Sequence, residues 1–331
     1  MTEQSEKREP GNGKRVLVAM SGGVDSSVAA LLLRDAGYDV TGATLQIWPD
    51  DPDEEACSDN GCCSMGAVRD ARRVADVLGI PYYVLNFKEL FDQAVIVPFI
   101  REYQSGRTPN PCILCNWKIK FEAMLDRAIA LGFDYLATGH YARVRAREDG
   151  ARELLGDSRN PKDQSYALYR LTQYQLDHLL LPVSDYPKER IRELASEAGL
   201  PVARKRDSQE ICFVKDDDYA GFIEARTGIH PESGDFTDTE GRVLGRHRGL
   251  IHYTVGQRKG IGIAGDVPYY VLALDPVGNR VILGSDDELY RSFASVGDIH
   301  FIEGRVPDLP LRAEVKIRYS APAVPALLEA G

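Results

Sequence analysis

The segment at residues 16–27, Val-Leu-Val-Ala-Met-Ser-Gly-Gly-Val-Asp-Ser-Ser, constrains the fold more than any other part of the chain. Its apolar first part, residues 16–20, predicts a buried parallel strand. Residues 21–25 predict a tight polar turn, and residues 26–36 predict a helix that Gly37 ends. The first turn of a helix has unpaired amide groups and a dipole that favours negative charge. The strand, turn and helix together therefore predict a phosphate site.

The pattern Ser-Gly-Gly-x-Asp-Ser-Ser lacks the lysine of the GxxxxGK[ST] loop and the spacing of GxGxxG. It resembles the PP-loop of the ATP pyrophosphatases, which cut ATP between its α- and β-phosphates and attach AMP to a carbonyl oxygen. The resemblance implies that the loop holds the pyrophosphate and that Asp25 helps to position Mg²⁺. An ordinary glycine turn is the alternative, and the flanking strand and helix favour the PP-loop.

Alternating strands and helices follow this loop. We predict strands at residues 40–47, 82–86 and 135–138, and helices at residues 67–78, 90–103 and 116–131. The alternation predicts a doubly wound parallel α/β sheet, whose ligands bind at the carboxyl ends of the strands. Residues 139–143 follow the last of these strands and so belong to the same side as residues 21–25. A loop stiffened by Pro109 and Pro111 is predicted at residues 105–115.

The remaining sequence predicts two further domains. A helix at residues 189–198 with polar connections indicates a small central domain, and short strands at residues 250–255, 269–274, 280–283 and 313–319 indicate a C-terminal β-barrel. The predicted organisation is a disordered tail at residues 1–14, a PP-loop domain at 15–175, a central domain at 176–245 and the barrel at 246–331. Residues 324–328 have no evident partner strand, so we expect an incomplete, truncated barrel.

The bulk properties limit the class of protein. The chain has 331 residues, a net charge of −10 and six cysteines. It contains no apolar run that could cross a membrane, and residues 1–14 have no signal-peptide core. We therefore expect a cytoplasmic protein with no membrane partner and with reduced cysteines. Basic clusters at residues 204–206, 246–248 and 258–259 suit phosphate groups, although each alone is ordinarily a solvated surface.

Three cysteines occupy chemically suggestive positions. Cys112 and Cys115 form a CxxC pair in the proline-stiffened loop, and Cys212 follows the basic cluster at residues 204–206. A CxxC pair is typical of redox centres, zinc knuckles and iron–sulfur ligation. Neighbouring positive charge favours a thiolate at Cys212, whereas a lone cysteine is ordinarily a small buried residue. The other cysteines are interpreted as incidental loop thiols: Cys57, Cys62 and Cys63.

Further motifs extend the resemblance over nearly the whole chain. They are SGGVDSS, GRTPNPCILCNWKIKF, ATGHYAR, NPKDQSYALY, RDSQEICFV and HYTVGQRKGIGI. In combination they are similar to the bacterial tRNA-specific 2-thiouridylases, the MnmA family, which convert the wobble uridine of certain tRNAs to 2-thiouridine with ATP and a persulfide sulfur. The resemblance implies a PP-loop domain, a central domain and a C-terminal β-barrel. It also implies ATP and Mg²⁺ as cofactors, with tRNA and a sulfur donor, a cysteine desulfurase or relay protein, as partners.

Matching positions give the site residues that the resemblance implies. ATP would contact Ala19, Met20, Ser21, Gly22, Gly23, Val24, Asp25, Ser26, Leu45 and Gly139. The target base would contact Asn110, Pro111 and Cys112, with Cys115 as the first catalytic cysteine and Cys212 as the persulfide carrier. The tRNA would contact His140, Lys162, Asp163, Gln164, Arg318 and Tyr319. Without the resemblance, Lys162 and Arg318 are equally well plain surface charges, and His140 is better interpreted as structural.

Two departures from the family pattern leave alternatives open. The commoner pattern has Asp where Cys112 stands, and the family's last barrel strands are missing after Gly331. The extra thiol allows a [4Fe–4S] cluster on Cys112, Cys115 and Cys212. The other route is persulfide chemistry that leaves a Cys115–Cys212 disulfide, and cluster-free accounts of the family favour it.

Two rival functions share part of the pattern. Another PP-loop ligase or synthetase would need residues 21–27 but neither Cys115 nor Cys212. A tRNA-binding module without catalysis is the second rival, and the intact loop and both cysteines argue against it.

Overall fold

The computed structural model describes residues 11–47, 65–157, 160–207, 211–265 and 267–331. The chain forms two compact units. The first comprises Met1–Glu89, Cys115–Gln209 and Asp298–Gly331, and the second comprises Leu90–Leu114 and Glu210–Gly297. The predicted domain limits at residues 15, 176 and 246 are not tested by this division and stay a prediction. Some predicted features lie outside the described residues: Cys57, Cys62, Cys63 and the first ten residues of the tail.

The strands of the described residues are short. They are β1 Arg15–Ala19, β2 Asp39–Gln46, β3 Tyr82–Asn86, β4 Tyr135–Ala137, β5 Arg143–Ala146, β6 Arg152–Leu155, β7 Leu179–Leu180, β8 Gly234–Thr237, β9 Val243–His247, β10 Tyr270–Asp275, β11 Arg280–Gly284, β12 Leu311–Val315 and β13 Val324–Leu328. In the first unit β5 and β6 pair as an antiparallel hairpin.

The helices of the described residues include two π-helical stretches. The α-helices are α1 Val24–Asp35, α2 Met65–Leu78, α3 Lys88–Phe91, α4 Val97–Gln104, α5 Pro111–Leu114, α6 Leu125–Ala130, α7 Gln173–Asp177, α8 Lys188–Glu197 and α9 Tyr219–Thr227. The π-helices are Asp92–Ile96, between α3 and α4, and Cys115–Met124, between α5 and α6. None of the helices described here combines the length and apolar character needed to cross a membrane.

A five-stranded parallel sheet organises the first unit, in the order β3-β2-β1-β4-β7. This confirms the predicted doubly wound sheet. Strand β1 is central and apolar, with Val16 and Val18 fully buried. The chain runs from β1 through β2 to β3 on one side and places β4 and β7 on the other. The carboxyl ends of β1 and β4 therefore flank the point at which the strand order reverses, where such sheets bind ligands.

Helices α1 and α8 share the hydrophobic core of this sheet. Val28 and Leu31 of α1 and Ile191 and Ala195 of α8 belong to one buried cluster. The helix predicted at residues 189–198 is present as α8 and packs in the first unit. At residues 11–14, which the sequence assigned to a disordered tail, the Gly11 amide donates to Ala36 O at 2.8 Å.

The second unit contains a β-rich sheet with the order β10-β11-β8-β9. Its core comprises Phe236, Val271, Val281 and Leu283 with neighbouring apolar residues. The predicted strands at residues 269–274 and 280–283 are present, and the sheet joins strands from both sides of residue 245. The strand predicted at residues 250–255 was wrong, since Leu250–His252 forms a 3₁₀-helix. A short apolar run alone does not distinguish the two structures.

The last strands form a separate hairpin in the first unit. β12 and β13 pair antiparallel, with Leu311 opposite Leu328 and Val315 opposite Val324. The expectation that residues 324–328 lack a partner strand was therefore wrong. The predicted strand at residues 313–319 begins and ends earlier, at Leu311 and Val315.

Candidate active site

The turn after β1 has a geometry that requires glycine at its second position. Gly22 has φ +66°, and an added Cβ would lie 2.7 Å from Ala67 Cα at the start of α2. A side chain there would be strained and would displace α2. The hydroxyl of Ser26 accepts from the Ser21 amide at 3.1 Å and donates to Gly23 O at 3.2 Å. The turn is therefore held by its own serines and lies close against α2.

The start of α1 is suited to an anion. Gly23 is the N-cap residue and makes no side-chain capping bond, so the amides of the first turn have no internal acceptor from a cap. Gly139, after β4, packs against the same turn, because an added Cβ would lie 2.6 Å from the Ser26 amide. The backbones of the two loops thus approach closely, and both belong to the ligand side of the sheet.

Other predicted nucleotide contacts surround this turn. Met20 and Leu45 are buried at the ends of β1 and β2, 2% and 6% exposed. The Met20 amide donates to Ala43 O, and the Thr44 hydroxyl donates to Met20 O at 2.6 Å. Both side chains belong to the buried core, and their nucleotide contacts stay a prediction.

Asp25 is the centre of a polar network. Lys188 Nζ donates to both of its carboxylate oxygens at 2.7 Å, and the Tyr141 hydroxyl donates to Oδ1 at 2.7 Å. Tyr141 is 4% exposed. Burial, together with the nearby Asp25 carboxylate, raises the pKa of Tyr141 far above its ordinary value. Tyr141 therefore serves as a neutral hydrogen-bond donor to Asp25.

Lys188 also connects Asp25 to Asp207. Its ammonium lies 2.9 Å from Asp207 Oδ1, which is also 2.9 Å from Arg192 Nη2. Lys162 Nζ contacts the other oxygen, Oδ2, at 3.0 Å. Burial alone would raise the pKa of Asp207, but the ammonium groups of Lys188 and Lys162 outweigh it and hold that pKa below its ordinary value. Three cations and two carboxylates thus leave one excess positive charge beside the loop.

The predicted tRNA contacts at residues 162–164 have structural partners of their own. Asp163 Oδ1 accepts from the Ser165 amide at 3.1 Å, and Oδ2 accepts from the Asp157 amide at 3.0 Å. Gln164 Oε1 accepts from the Tyr141 amide at 3.0 Å. These side chains hold the segment that carries Lys162 and position Tyr141.

His140 is half-buried beside Phe121, with ring centroids 5.8 Å apart. Its Nδ1 lies 2.8 Å from the Thr138 hydroxyl. Burial, and to a smaller extent the ammonium of Lys120, holds the pKa of His140 well below its ordinary value. The ring is therefore neutral near pH 7, and any contact with tRNA would be a hydrogen bond or ring packing.

Arg318 and Tyr319 lie at the surface of the first unit. The ring of Tyr319 packs edge-on against Tyr166, with centroids 6.2 Å apart. Lys316 Nζ lies 5.3 Å from the Tyr319 ring centroid and 5.9 Å from that of Tyr166. Because Tyr166 follows residues 162–164 in the chain, the structure brings both predicted tRNA segments to one region of this unit.

The CxxC pair lies on a helix and not in the predicted loop. Pro111 begins α5, and the Asn110 side chain accepts from the Cys112 amide at 3.1 Å. Proline is favoured in the first turn of a helix, and asparagine before it caps the helix. The predicted loop thus ends at Asn110, because Asn110 caps the helix and Pro111 begins it. Cys112 is exposed and Cys115 is half-buried.

Cys212 belongs to the second unit and is half-buried. The next residue, Phe213, packs against Phe91, Phe99 and Phe222, with ring centroids 5.1–5.7 Å apart. This aromatic cluster anchors the chain directly after the sulfur. Cys115 belongs to the first unit, and the roles of both cysteines stay predictions.

Comparison with known proteins decides the family. Residues 14–216 match the model of the tRNA methyl transferase HUP domain, and residues 221–285 match that of the tRNA methyl transferase PRC-barrel domain. The chain is 53% identical over 316 residues to the tRNA-specific 2-thiouridylase MnmA of Acetivibrio thermocellus, covering 95% of this chain and 88% of that protein. The chain belongs to the MnmA family. The relative from Moorella thermoacetica is 54% identical over 312 residues, covering 94% of this chain and 87% of that protein.

Solved structures add less to this conclusion. A 4-thiouridine synthetase crystallised with RNA and ATP matches 66% of this chain and 51% of its own, at 16% identity and a TM-score of 0.35. That likeness is too weak to carry an argument. The PRC-barrel match covers all four strands of the second unit's sheet.

The MnmA resemblance did not reveal the residues that surround Asp25. Tyr141 and Asp207 lie inside the motifs ATGHYAR and RDSQEICFV but had no predicted role, and Lys188 and Arg192 lie outside the motifs. Lys188 is 163 positions from Asp25 in the sequence, so no local pattern joins them. Lys188 and Arg192 reach Asp207 from α8, so these contacts depend on the packing of α8 against α1.

Substitution of Gly22 separates the shape of the loop from general stability. Gly22→Ala places a Cβ against Ala67 at positive φ, so we expect ATP affinity to fall at least about tenfold. Gly79→Ala is the matched control, since Gly79 also has φ +66° but has open space around it. Both variants should lose thermal stability, and only Gly22→Ala should lose nucleotide affinity in calorimetric titration. Wild-type affinity in Gly22→Ala would contradict this account of the turn.

Asp207→Asn tests the charge network through its pH dependence. The lowered pKa of Asp207 means that its stabilisation is complete above its ordinary pKa of 3.8 and is lost as pH falls through the folded-state pKa. We expect the variant to be about 1–2 kcal/mol less stable at pH 7, with the difference shrinking below pH 3.8. Thermal unfolding between pH 7 and pH 3 measures this.

The control for this experiment is Asp185→Asn, which removes an exposed partner of Arg143 and should change stability little. A difference between wild type and Asp207→Asn that is constant with pH would show that the carboxylate charge is not what stabilises the network.

Proposed function

We propose that this protein catalyses the ATP-dependent 2-thiolation of the wobble uridine of tRNA. The observation that carries the proposal is the glycine turn with Asp25, which lies where the strand order of the parallel sheet reverses. The chain is also about half identical to tRNA-specific 2-thiouridylases. The activity needs ATP and tRNA together, which predicts a cytoplasmic location.

The first proposed step is adenylation of the target base. The C2 oxygen of uracil is a poor leaving group, and its attack on the α-phosphate of ATP releases pyrophosphate and leaves AMP as a good one. The amides at the start of α1 and the serine hydroxyls would hold the pyrophosphate. Lys188 places positive charge beside Asp25, where phosphate charge accumulates.

Mg²⁺ fits the donors at this turn. Magnesium is ordinarily held by one or two carboxylates together with substrate phosphates, and Asp25 supplies a carboxylate beside the anion site. When bound, the ion would neutralise phosphate charge. Asp25 would then share its oxygens between the ion and the Lys188 and Tyr141 donors that hold it.

The second proposed step transfers sulfur. A terminal persulfide sulfur on Cys212, taken from a desulfurase or relay protein, attacks C2 and displaces AMP. The Cys115 thiolate then attacks the Cys212 sulfur, which releases 2-thiouridine and forms a Cys115–Cys212 disulfide. Alternatively, Cys115 first releases hydrosulfide from Cys212, and the hydrosulfide attacks C2. Both routes consume two electrons from a thiol reductant when the disulfide is reduced.

The tRNA contacts are part of the same proposal. The base would leave its stack and lie near residues 110–112, with tRNA contacts at His140, Lys162, Asp163, Gln164, Arg318 and Tyr319. The common location of Tyr319 and Tyr166 in the first unit supports these contacts. We further propose that the β12–β13 hairpin belongs to a C-terminal β-barrel domain.

Substitution of the two cysteines tests the sulfur step. Unmodified tRNA is incubated with ATP, Mg²⁺ and a sulfide or persulfide donor, and the products are thiolated wobble uridine, AMP and pyrophosphate. Cys115→Ser and Cys212→Ser should each abolish thiolation while adenylation survives, because the nucleotide site is built from other residues. Thiolation near the wild-type rate by either variant would remove that cysteine from the mechanism.

The same assay separates the rival functions. Release of ADP and phosphate would exclude a PP-loop pyrophosphatase of any kind. A protein that binds tRNA but releases no AMP would be the non-catalytic binding module. AMP release without any dependence on tRNA would favour another PP-loop ligase.

The iron content of the protein decides between the persulfide and cluster routes. The persulfide route needs no metal ion. If it operates, anaerobically purified protein should be colourless and active with a persulfide donor. About four irons per chain that are lost in Cys112→Ala would instead establish a [4Fe–4S] cluster.

A further inference from the structure

We propose that a basic cleft on the first unit binds the phosphodiester backbone of the tRNA beside the nucleotide loop, an inference that rests on the proposed function. The cleft lies between α2 and residues 201–205 and has a volume of about 540 Å³. Its described lining residues are Gly66, Arg69, Asp70, Arg73, Pro201, Val202 and Lys205. None of the residues assigned above to the site lines it.

The charge of the cleft favours a polyanion. Arg69 and Arg73 are exposed and lie one helical turn apart on α2, so both side chains are on one face. Within the described residues neither has an acidic partner, whereas Lys205 is paired with Asp70 at 2.6 Å. Three cations and one carboxylate give an excess of two positive charges on a chain whose net charge is −10. Two adjacent guanidinium groups are well suited to phosphate oxygens.

The lining also favours the RNA backbone over its bases. Among the described lining residues none is aromatic, so those residues offer no ring on which a base could stack. Its apolar side chains are Pro201 and Val202, and Val202 is 2% exposed. Contacts of this kind position a nucleic acid without selecting its sequence.

The walls of the cleft are joined to the nucleotide loop. The start of α2 packs against Gly22 through Ala67. On the opposite wall, Arg192 Nη1 donates to Lys205 O at 2.9 Å while its Nη2 contacts Asp207. Asp207 in turn contacts Lys188, the partner of Asp25. A strand of RNA held in the cleft would therefore lie beside the site at which the target base is adenylated.

The test is the salt dependence of tRNA binding by the full chain. Affinity for unmodified tRNA is measured by fluorescence anisotropy between about 50 and 300 mM NaCl. In this range the release of counterions from the RNA dominates the salt dependence of the affinity. Arg69→Ala with Arg73→Ala should weaken binding about tenfold and reduce the slope of log K against log salt by about 1.5, since each phosphate contact contributes roughly 0.7–0.9.

A matched control removes the same charge from elsewhere on this unit. Arg145→Ala with Arg190→Ala deletes two arginines that do not line the cleft. Arg145 pairs with Glu153, and Arg190 pairs with Glu193 and Glu197. This pair should change the slope by less than about 0.5. Asp70→Asn, which removes the carboxylate from the cleft, should tighten binding about threefold.

Each outcome bears on the proposal. Equal weakening by the two arginine pairs would show a general charge effect and would overturn it. Reduced ATP affinity of the Arg69 and Arg73 variant in the absence of tRNA would assign the cleft to the nucleotide and overturn it also. Normal tRNA binding by that variant would overturn the role of the cleft and leave the proposed function intact. Wild-type protein that binds no tRNA would overturn the proposed function as well.

Discussion

The pairing of Asp25 with Lys188 and Tyr141 is the interaction on which the rest of the site depends. It joins the turn after β1 to α8 and to the segment after β4, three parts of the chain that are far apart in sequence. Because Lys188 is 11% exposed and also contacts Asp207, neither carboxylate is left without a cation. Replacing only Asp25 or only Lys188 would leave the other charge unpaired in a partly buried site. That single change costs more stability than replacing both residues with apolar ones.

The sheet and the phosphate turn could be predicted because their signals are local. Strand β3 was predicted with the bounds it has, and the glycine turn follows from a strand, two glycines and a helix start. Errors arose where one short segment fits two structures. Leu250–His252 forms a 3₁₀-helix in place of a strand, and Asn110 with Pro111 begins a helix where two prolines suggested a loop.

The charged surroundings of the site could not be predicted, because they depend on tertiary packing. Lys188 on α8 had been interpreted as a part of a separate domain, so no contact with Asp25 was expected. Asp207 likewise sat beside a basic cluster whose ordinary interpretation is a solvated surface. Only the packing of α8 against α1 shows that these residues face the loop and that Arg192 connects Lys205 with Asp207.

Asp207 contacts one lysine beside the nucleotide loop and one lysine predicted to contact tRNA, so it can couple the binding of the two ligands. Its Oδ1 contacts Lys188, the partner of the nucleotide loop, and its Oδ2 contacts Lys162, a predicted tRNA contact. A phosphate that bound Lys162 would compete with Asp207 for that ammonium, and Asp207 shares another of its cations, Lys188, with Asp25. Free-energy coupling of this kind is reciprocal: whatever tRNA does to nucleotide affinity, the nucleotide does to tRNA affinity by the same factor. If Lys162 contacts tRNA, this one carboxylate would couple the binding of tRNA to the binding of the nucleotide.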